Sequence, residues 1–215
     1  MIEAIRAGLI ERADPAKAPE MQRYMKSSMP FYGFQKPARA QLAREVFVSL
    51  DRAEWERTVR TLWREATHRE ERYFAIAVLE DRRYRAHRDL DALPLYEELI
   101  VDGAWWDYVD AVACGPLGAL LPDVAPVLRE WSTDNDLWKR RSSIIAQVRR
   151  KADTDFELLQ AVIEPNRADP EFFIRKAIGW ALRSYAWVEP EIVREYVDRH
   201  ELSPLSRREA LKNIG

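Results

Sequence analysis

Apolar residues recur along this chain at intervals of three and four, the period of a helix with one buried face. Ile2, Ile5, Leu9 and Ile10 make the first such stripe, and Met21, Tyr24, Met25 and Ser28 suggest a second helix. Pro37 suits a first helical turn ahead of Leu42, Val46, Phe47 and Leu50, because a residue there has no intrahelical bond to lose. Asp51 predicts an N-cap, with Glu54 three residues on as its capping-box partner and Trp55, Val59 and Leu62 behind them. The pattern continues through Tyr73, Ile76, Ala77 and Glu80, then through Leu93, Tyr96, Leu99 and Ile100. Pro122, Asp169-Pro170, Glu189-Pro190 and Ser203-Pro204 mark later helix starts. No segment series alternates with the period of two that strands need.

About a dozen short amphipathic helices joined by brief connectors predict an all-α chain, built as an α-solenoid of stacked antiparallel helix pairs. The hairpin spacing is close to the roughly 40 residues of HEAT and armadillo repeats, but no consensus is legible, so the repeats read as degenerate HEAT-like units. No linker long enough to divide two domains interrupts them. Residues 1–215 are expected to form one domain.

Composition narrows the function. A 47% hydrophobic and 33% charged chain is globular rather than disordered. Its 7 Gly are too few for the turns of an all-β protein or for a Gly-rich phosphate loop. Cys114 has no partner for a disulfide or a thiolate metal set, and it reads as a small buried residue near a helix end. His68, His87 and His200 are scattered without metal-ligand spacing, so neither metal nor cofactor is expected. The opening MIEAIRAGLIER is too polar for a signal peptide, and no apolar run is long enough to cross a bilayer. A cytoplasmic protein with no membrane partner, acting as a monomer, is the expectation.

The net charge of -2 argues against a nucleic-acid partner until its distribution is considered. Between Glu20 and Glu45 the charged residues are Arg23, Lys26, Lys36, Arg39 and Arg44, with no acid among them. Between Asp136 and Asp153 they are Lys139, Arg140, Arg141, Arg149, Arg150 and Lys151, and from Phe172 to Val188 they are Arg175, Lys176 and Arg183. Each run alone is an ordinary solvated helix face. Three of them in a slightly acidic chain predict a surface on which charge is segregated.

Polar residues on apolar stripes carry the chemistry. In AWWDYVDAVAC, Trp106, Val109, Asp110 and Ala113 fall along one side of a helix. An ionised Asp there must be paired, partly solvated or functional, because its desolvation is costly. Asp107, an acid in a first helical turn, needs no such explanation. Arg141 interrupts the stripe of Leu137, Trp138, Ile144, Ile145 and Val148. It is either the structural partner of Asp110 or a guanidinium reaching toward an external anion. In FFIRKAIGWALRSYAW, Ile174, Ile178, Ala181, Leu182 and Tyr185 form the core face, while Lys176, Trp180, Arg183 and Trp187 are spaced by four, three and four on another. That second face suits nucleic acid, where cations meet phosphates and rings meet sugars or bases. It equally suits a surface where Arg and Lys cover Trp.

These residues coincide with the motifs of a known family. From RYMKSSMPFYGFQKPAR through EELIVDGAWWDYVD and DNDLWKRR to FFIRKAIGWALRSYAWVEPEIV and LSPLSRREALKNI, the chain resembles AlkD-like alkylpurine DNA glycosylases. The resemblance implies a curved solenoid whose concave face holds duplex DNA. It implies hydrolysis of the N-glycosidic bond of cationic N3- and N7-alkylated purines, with the lesion left in the stack, as a step in base excision repair of alkylation damage. By the same resemblance Asp110 is the catalytic carboxylate, Trp106 and Trp180 lie against the lesion nucleotide, Tyr24 lines the same site, and Arg141 stands beside the carboxylate. Tyr24, Lys26, Arg39, Arg141, Lys176 and Arg183 are the expected DNA contacts. Ser142-Ser143 depart from the small apolar pair expected after Arg141. Two alternatives differ in function: a non-catalytic HEAT-like module that binds DNA or protein, and a glycosylase specialised for bulky alkyl adducts.

Overall fold

A computed structural model describes residues 1–214, and all regular elements among them are helical. The all-α expectation therefore holds. The chain packs as two compact units, Met1–Arg88 and the remainder from Asp89. Each is a stack of short helices packed on helices close by in the chain, consistent with an α-solenoid.

The first unit contains α1 (Ile2–Glu11), α2 (Ala18–Met25), α3 (Lys36–Val46), α4 (Arg52–Arg64) and α5 (Arg69–Glu80). In α1 the buried line is Ile5, Gly8 and Leu9, and Ile10 turns outward. Helix α2 ends at Met25 because Lys26 adopts a left-handed conformation (φ 50°), so Ser28 falls outside it. Pro37 lies in the first turn of α3. The capping box of α4 is present on both sides, with Asp51 accepting from the Glu54 N–H at 2.8 Å and Glu54 accepting from the Asp51 N–H at 3.3 Å. Behind it Trp55, Val59 and Leu62 are fully buried.

An acid that periodicity does not mark holds this unit together. Glu70, fully buried on α5, accepts the backbone N–H groups of Tyr32 (3.0 Å), Gly33 (3.0 Å) and Phe34 (2.9 Å). The irregular segment 31–34 thereby satisfies donors it has no ladder to satisfy. Gly33 has φ +84°, and a Cβ there would stand 2.1 Å from the Asp14 carbonyl oxygen, so only glycine fits. Beside it Glu71 accepts from Arg6 Nε (2.9 Å) and Thr67 Oγ1 (2.9 Å). Burial pushes the Glu71 carboxyl up, but Thr67 and Arg6 outweigh it and hold the group below the usual carboxylate range.

The second unit contains α6 (Leu93–Gly103), α7 (Trp106–Val112), α8 (Ala125–Trp131), α9 (Leu137–Ile145), α10 (Phe156–Ile163), α11 (Phe172–Tyr185), α12 (Pro190–Arg199) and α13 (Pro204–Leu211). Pro190 and Pro204 open their helices as expected, and Ser203 caps α13 by accepting from the Ser206 N–H at 3.1 Å. Asp136 caps α9 through the N–H groups of Trp138 (2.8 Å) and Lys139 (2.9 Å). Cys114 is buried just past α7, where its Sγ donates to the Ile145 carbonyl at 3.3 Å. Gly179 lets α11 and α13 approach closely: a Cβ there would meet Glu209 Cβ at 2.4 Å and the Ser206 carbonyl oxygen at 2.9 Å. Among the described residues no helix is long and apolar enough to cross a membrane.

Glu70→Ala removes the shared acceptor of three backbone donors and leaves the 31–34 segment unsatisfied. Denaturant unfolding is expected to show a loss of about 3 kcal/mol or more, in line with the cost of orphaning several enclosed donors. A change under about 1 kcal/mol would mean that water replaces the carboxylate at little cost.

Candidate functional site

The site begins with a tight reversal. Helix α6 stops where Ala104 turns left-handed (φ 40°), and the extended Trp105 delivers the chain into α7 at Trp106. One turn later Asp110 lies between Val109 and Ala113, both fully buried, with only 16% of its own side chain exposed. The carboxylate is met from α9. Arg141 Nε donates to Asp110 Oδ1 at 2.7 Å and Arg141 Nη2 to Oδ2 at 2.8 Å, a parallel fork, while Nη1 donates to the Phe173 carbonyl at 2.5 Å. Three helices, α7, α9 and α11, are thus tied through one guanidinium.

Aromatic rings wall this contact. The Phe173 ring lies 5.6 Å from Trp105 and 5.1 Å from Trp138 between centroids, and Arg141 Cζ stands 5.9 Å from the same ring. The low-polarity surroundings strengthen the ion pair and penalise any loss of one partner. Burial pushes the Asp110 carboxyl above its ordinary value, the Arg141 guanidinium pulls it down, and the charge of Asp107 adds a smaller upward push. The balance is upward. Each carboxylate oxygen has a second lone pair beyond the one Arg141 uses, so the exposed edge of Asp110 can still accept from a water.

The geometry decides between the two roles open for Arg141. With 6% of its side chain exposed and all three nitrogens donating inward, it is the partner of Asp110. The guanidinium thereby fixes the direction of the carboxylate. Ser142 and Ser143, the departure in the sequence, are both buried. Ser143 Oγ donates to the Arg140 carbonyl at 2.7 Å, while Ser142 Oγ bonds to no described residue.

Trp106 and Trp180 sit half-buried on α7 and α11, two of the helices tied through the Arg141 guanidinium. Lys176 and Arg183, on the same face of α11, converge on an acid the sequence reading missed. Glu209 of α13 accepts from Lys176 Nζ at 3.0 Å and from Arg183 Nη1 at 2.5 Å. The Arg183 and Lys176 cations hold its carboxyl below the usual range. No spacing rule connects Glu209 to a helix 26 positions upstream; only the packed structure pairs them. Trp187, counted with that face, lies beyond the end of α11 and is 75% exposed. In the first unit Tyr24 is 76% exposed on α2, Lys26 is exposed at that helix's end, and the Arg39 guanidinium lies over the Tyr73 ring at 4.1 Å. Among the described residues no three His, Cys, Asp or Glu side chains gather as a metal set would.

The family model for DNA alkylation repair enzymes matches residues 5–214. A solved structure titled as a predicted DNA alkylation repair enzyme from Enterococcus faecalis is similar over 94% of this chain and 97% of that one, with 28% sequence identity and a TM-score of 0.82. Among curated proteins no relative matches the sequence.

The raised Asp110 pKa fixes the sign of a pH effect on stability. Folded Asp110 keeps its proton to a higher pH than the unfolded chain does. The fold therefore loses this group's contribution as pH climbs from the ordinary carboxylate pKa to the raised one. Subtracting the stability of Asp110→Asn from that of the wild type across this window should give a difference that falls with rising pH. A difference that rises instead would show that Arg141 outweighs burial.

Proposed function

The chain belongs to the DNA alkylation repair enzyme family, and within it we propose a DNA glycosylase that hydrolyses the N-glycosidic bond of cationic N3- or N7-alkylated purines in duplex DNA. The observation that carries this reading is the Asp110 carboxylate, fixed by a bidentate Arg141 while 16% of its side chain stays exposed. A site this sparse suits this substrate. N3- or N7-alkylation already gives the purine a positive charge, so the base leaves without protonation by an enzyme acid.

The remaining barrier is the positive charge that develops on the deoxyribose, as in glycoside hydrolysis. As the C1′–N9 bond breaks, its electron pair passes to the purine and neutralises the ring. A water oxygen bonds to C1′, and one of its protons leaves to solvent by way of Asp110. The ionised carboxylate stabilises the sugar cation and orients that water. Because Arg141 already holds it, little reorganisation is needed as charge develops. The faces of Trp106 and Trp180 pack against polarised sugar C–H groups, an attraction related to cation–π contact. The lesion stays in the stack and its sugar is approached from outside, in contrast to enzymes that extrude the base into a pocket. Lys176 and Arg183 of the second unit, and Tyr24, Lys26 and Arg39 of the first, supply contacts to the backbone, so binding is salt-dependent and nearly indifferent to sequence.

Release of free base from duplex carrying 7-methylguanine or 3-methyladenine tests the activity directly. In single turnover, Asp110→Asn should slow release on the order of 100-fold or more, as loss of one preorganised electrostatic group does, while duplex affinity is retained. Thermal melting of the same variant separates chemistry from folding. A folded Asp110→Asn that excises at the wild-type rate would falsify the role of this carboxylate.

The wild-type rate also carries a pH signature. Only ionised Asp110 can stabilise the sugar cation, so the single-turnover rate should climb with pH until the raised pKa is passed and then level off. A flat acid limb would place the chemistry elsewhere.

A further inference from the structure

We propose that Glu209 is a built-in counter-ion, which a DNA phosphate must displace from Lys176 and Arg183, so that this one carboxylate sets how tightly duplex DNA is held. The inference rests on duplex DNA being the partner, and it adds a residue that opposes binding to those that favour it.

The placement is built and not incidental. Lys176, Gly179 and Arg183, spaced by three and four, share one face of α11. The missing side chain at Gly179 leaves the space that Glu209 Cβ occupies, so the acid enters between the two cations. The start of α13 is pinned to α11, because Ser206 Oγ donates to the Arg175 carbonyl at 3.0 Å. Glu209 is therefore not a loose surface side chain. It receives Lys176 Nζ on Oε1 at 3.0 Å and Arg183 Nη1 on Oε2 at 2.5 Å, and Arg183 Nη1 also donates to the Glu209 carbonyl at 3.2 Å.

Exposure orders the three groups. The Glu209 side chain is 15% exposed, Arg183 22% and Lys176 37%, so an incoming anion meets the cations before the carboxylate. A phosphate presents paired oxygens much as the carboxylate does, and each is a ligand for the same donors. The trio carries one net positive charge where the two cations alone would carry two. Two consequences follow for binding. The phosphate gains less than two free cations would give, because a displaced carboxylate stays tethered nearby. The salt dependence is also shallower than the number of cationic contacts implies, since an internal anion and not a released counter-ion neutralises part of the charge.

The experiment measures affinity for unmodified duplex as a function of salt, in wild type and Glu209→Gln. Glu209→Gln should bind several-fold more tightly at low salt, with a log–log slope steeper by about 0.9, the increment of one more phosphate neutralised. Between about 50 mM and 200 mM salt its advantage should shrink about three- to four-fold. In a Lys176→Gln/Arg183→Gln background the same substitution should have no effect. Equal tightening in that background would reduce the effect to net charge and overturn the proposal, as would weaker binding by Glu209→Gln itself, which would make the acid an organiser of the two cations. Glu209→Asp keeps the charge but is one methylene too short to reach both cations, so it should tighten binding to an intermediate degree. If Glu209→Gln fails to fold, this variant decides alone, and no gain in affinity overturns the idea. None of these measurements reads base release. An absent excision activity with this pattern of affinities would sink the glycosylase reading and leave Glu209 in its role.

Discussion

The guanidinium of Arg141 is the point on which the second unit turns. It reaches from α9 to a carboxylate on α7 and a main-chain carbonyl on α11, and all three of its nitrogens are engaged. A lysine could satisfy the charge but not the fork, since its ammonium is a point donor without a planar geometry. The pair is largely enclosed, with the Phe173 ring beside Arg141, so neither member can be lost without leaving the other charge buried and uncompensated. What this arrangement gains is direction. Asp110 is aimed by a rigid partner that is itself fixed at a third point.

Much of this was legible in the chain because it violates the helical pattern. Asp110 and Arg141 stand out as charges on apolar stripes, and an ion pair between them is one of the two outcomes such placement permits. The capping box at Asp51 and Glu54 and the proline starts at Pro190 and Pro204 are local signals, decided within a turn of backbone, and the folded chain uses them as the sequence implies. Local rules also explain a miss. Helix α2 stops early at Lys26, whose left-handed conformation no composition rule assigns to lysine.

The residues that escaped the sequence reading share a physical reason. Glu70 and Glu209 look like ordinary acids on polar helix faces, and each acquires its role from a partner far along the chain. Glu70 meets main-chain donors 36 to 38 positions away, and main-chain donors have no side-chain signature to read. Glu209 meets Lys176 and Arg183 only because Gly179 lets two helices touch. Charge runs had grouped those two cations with a DNA surface, since a run counts only neighbours in sequence and is blind to an acid folded back onto it.

The cluster around Glu70 has a meaning beyond holding a loop in place. Three consecutive N–H groups converging on one point, with a glycine at positive φ among them, form the kind of concave amide nest that elsewhere cradles a phosphate or a carboxylate ligand. Here the nest is already filled by the protein's own acid. Tyr32, Gly33 and Phe34 have therefore already spent their main-chain donors. Whatever these three residues contribute to gripping a polyanion must come from side chains. That distinguishes them from phosphate loops, which grip with backbone, and leaves affinity open to adjustment by single charge substitutions.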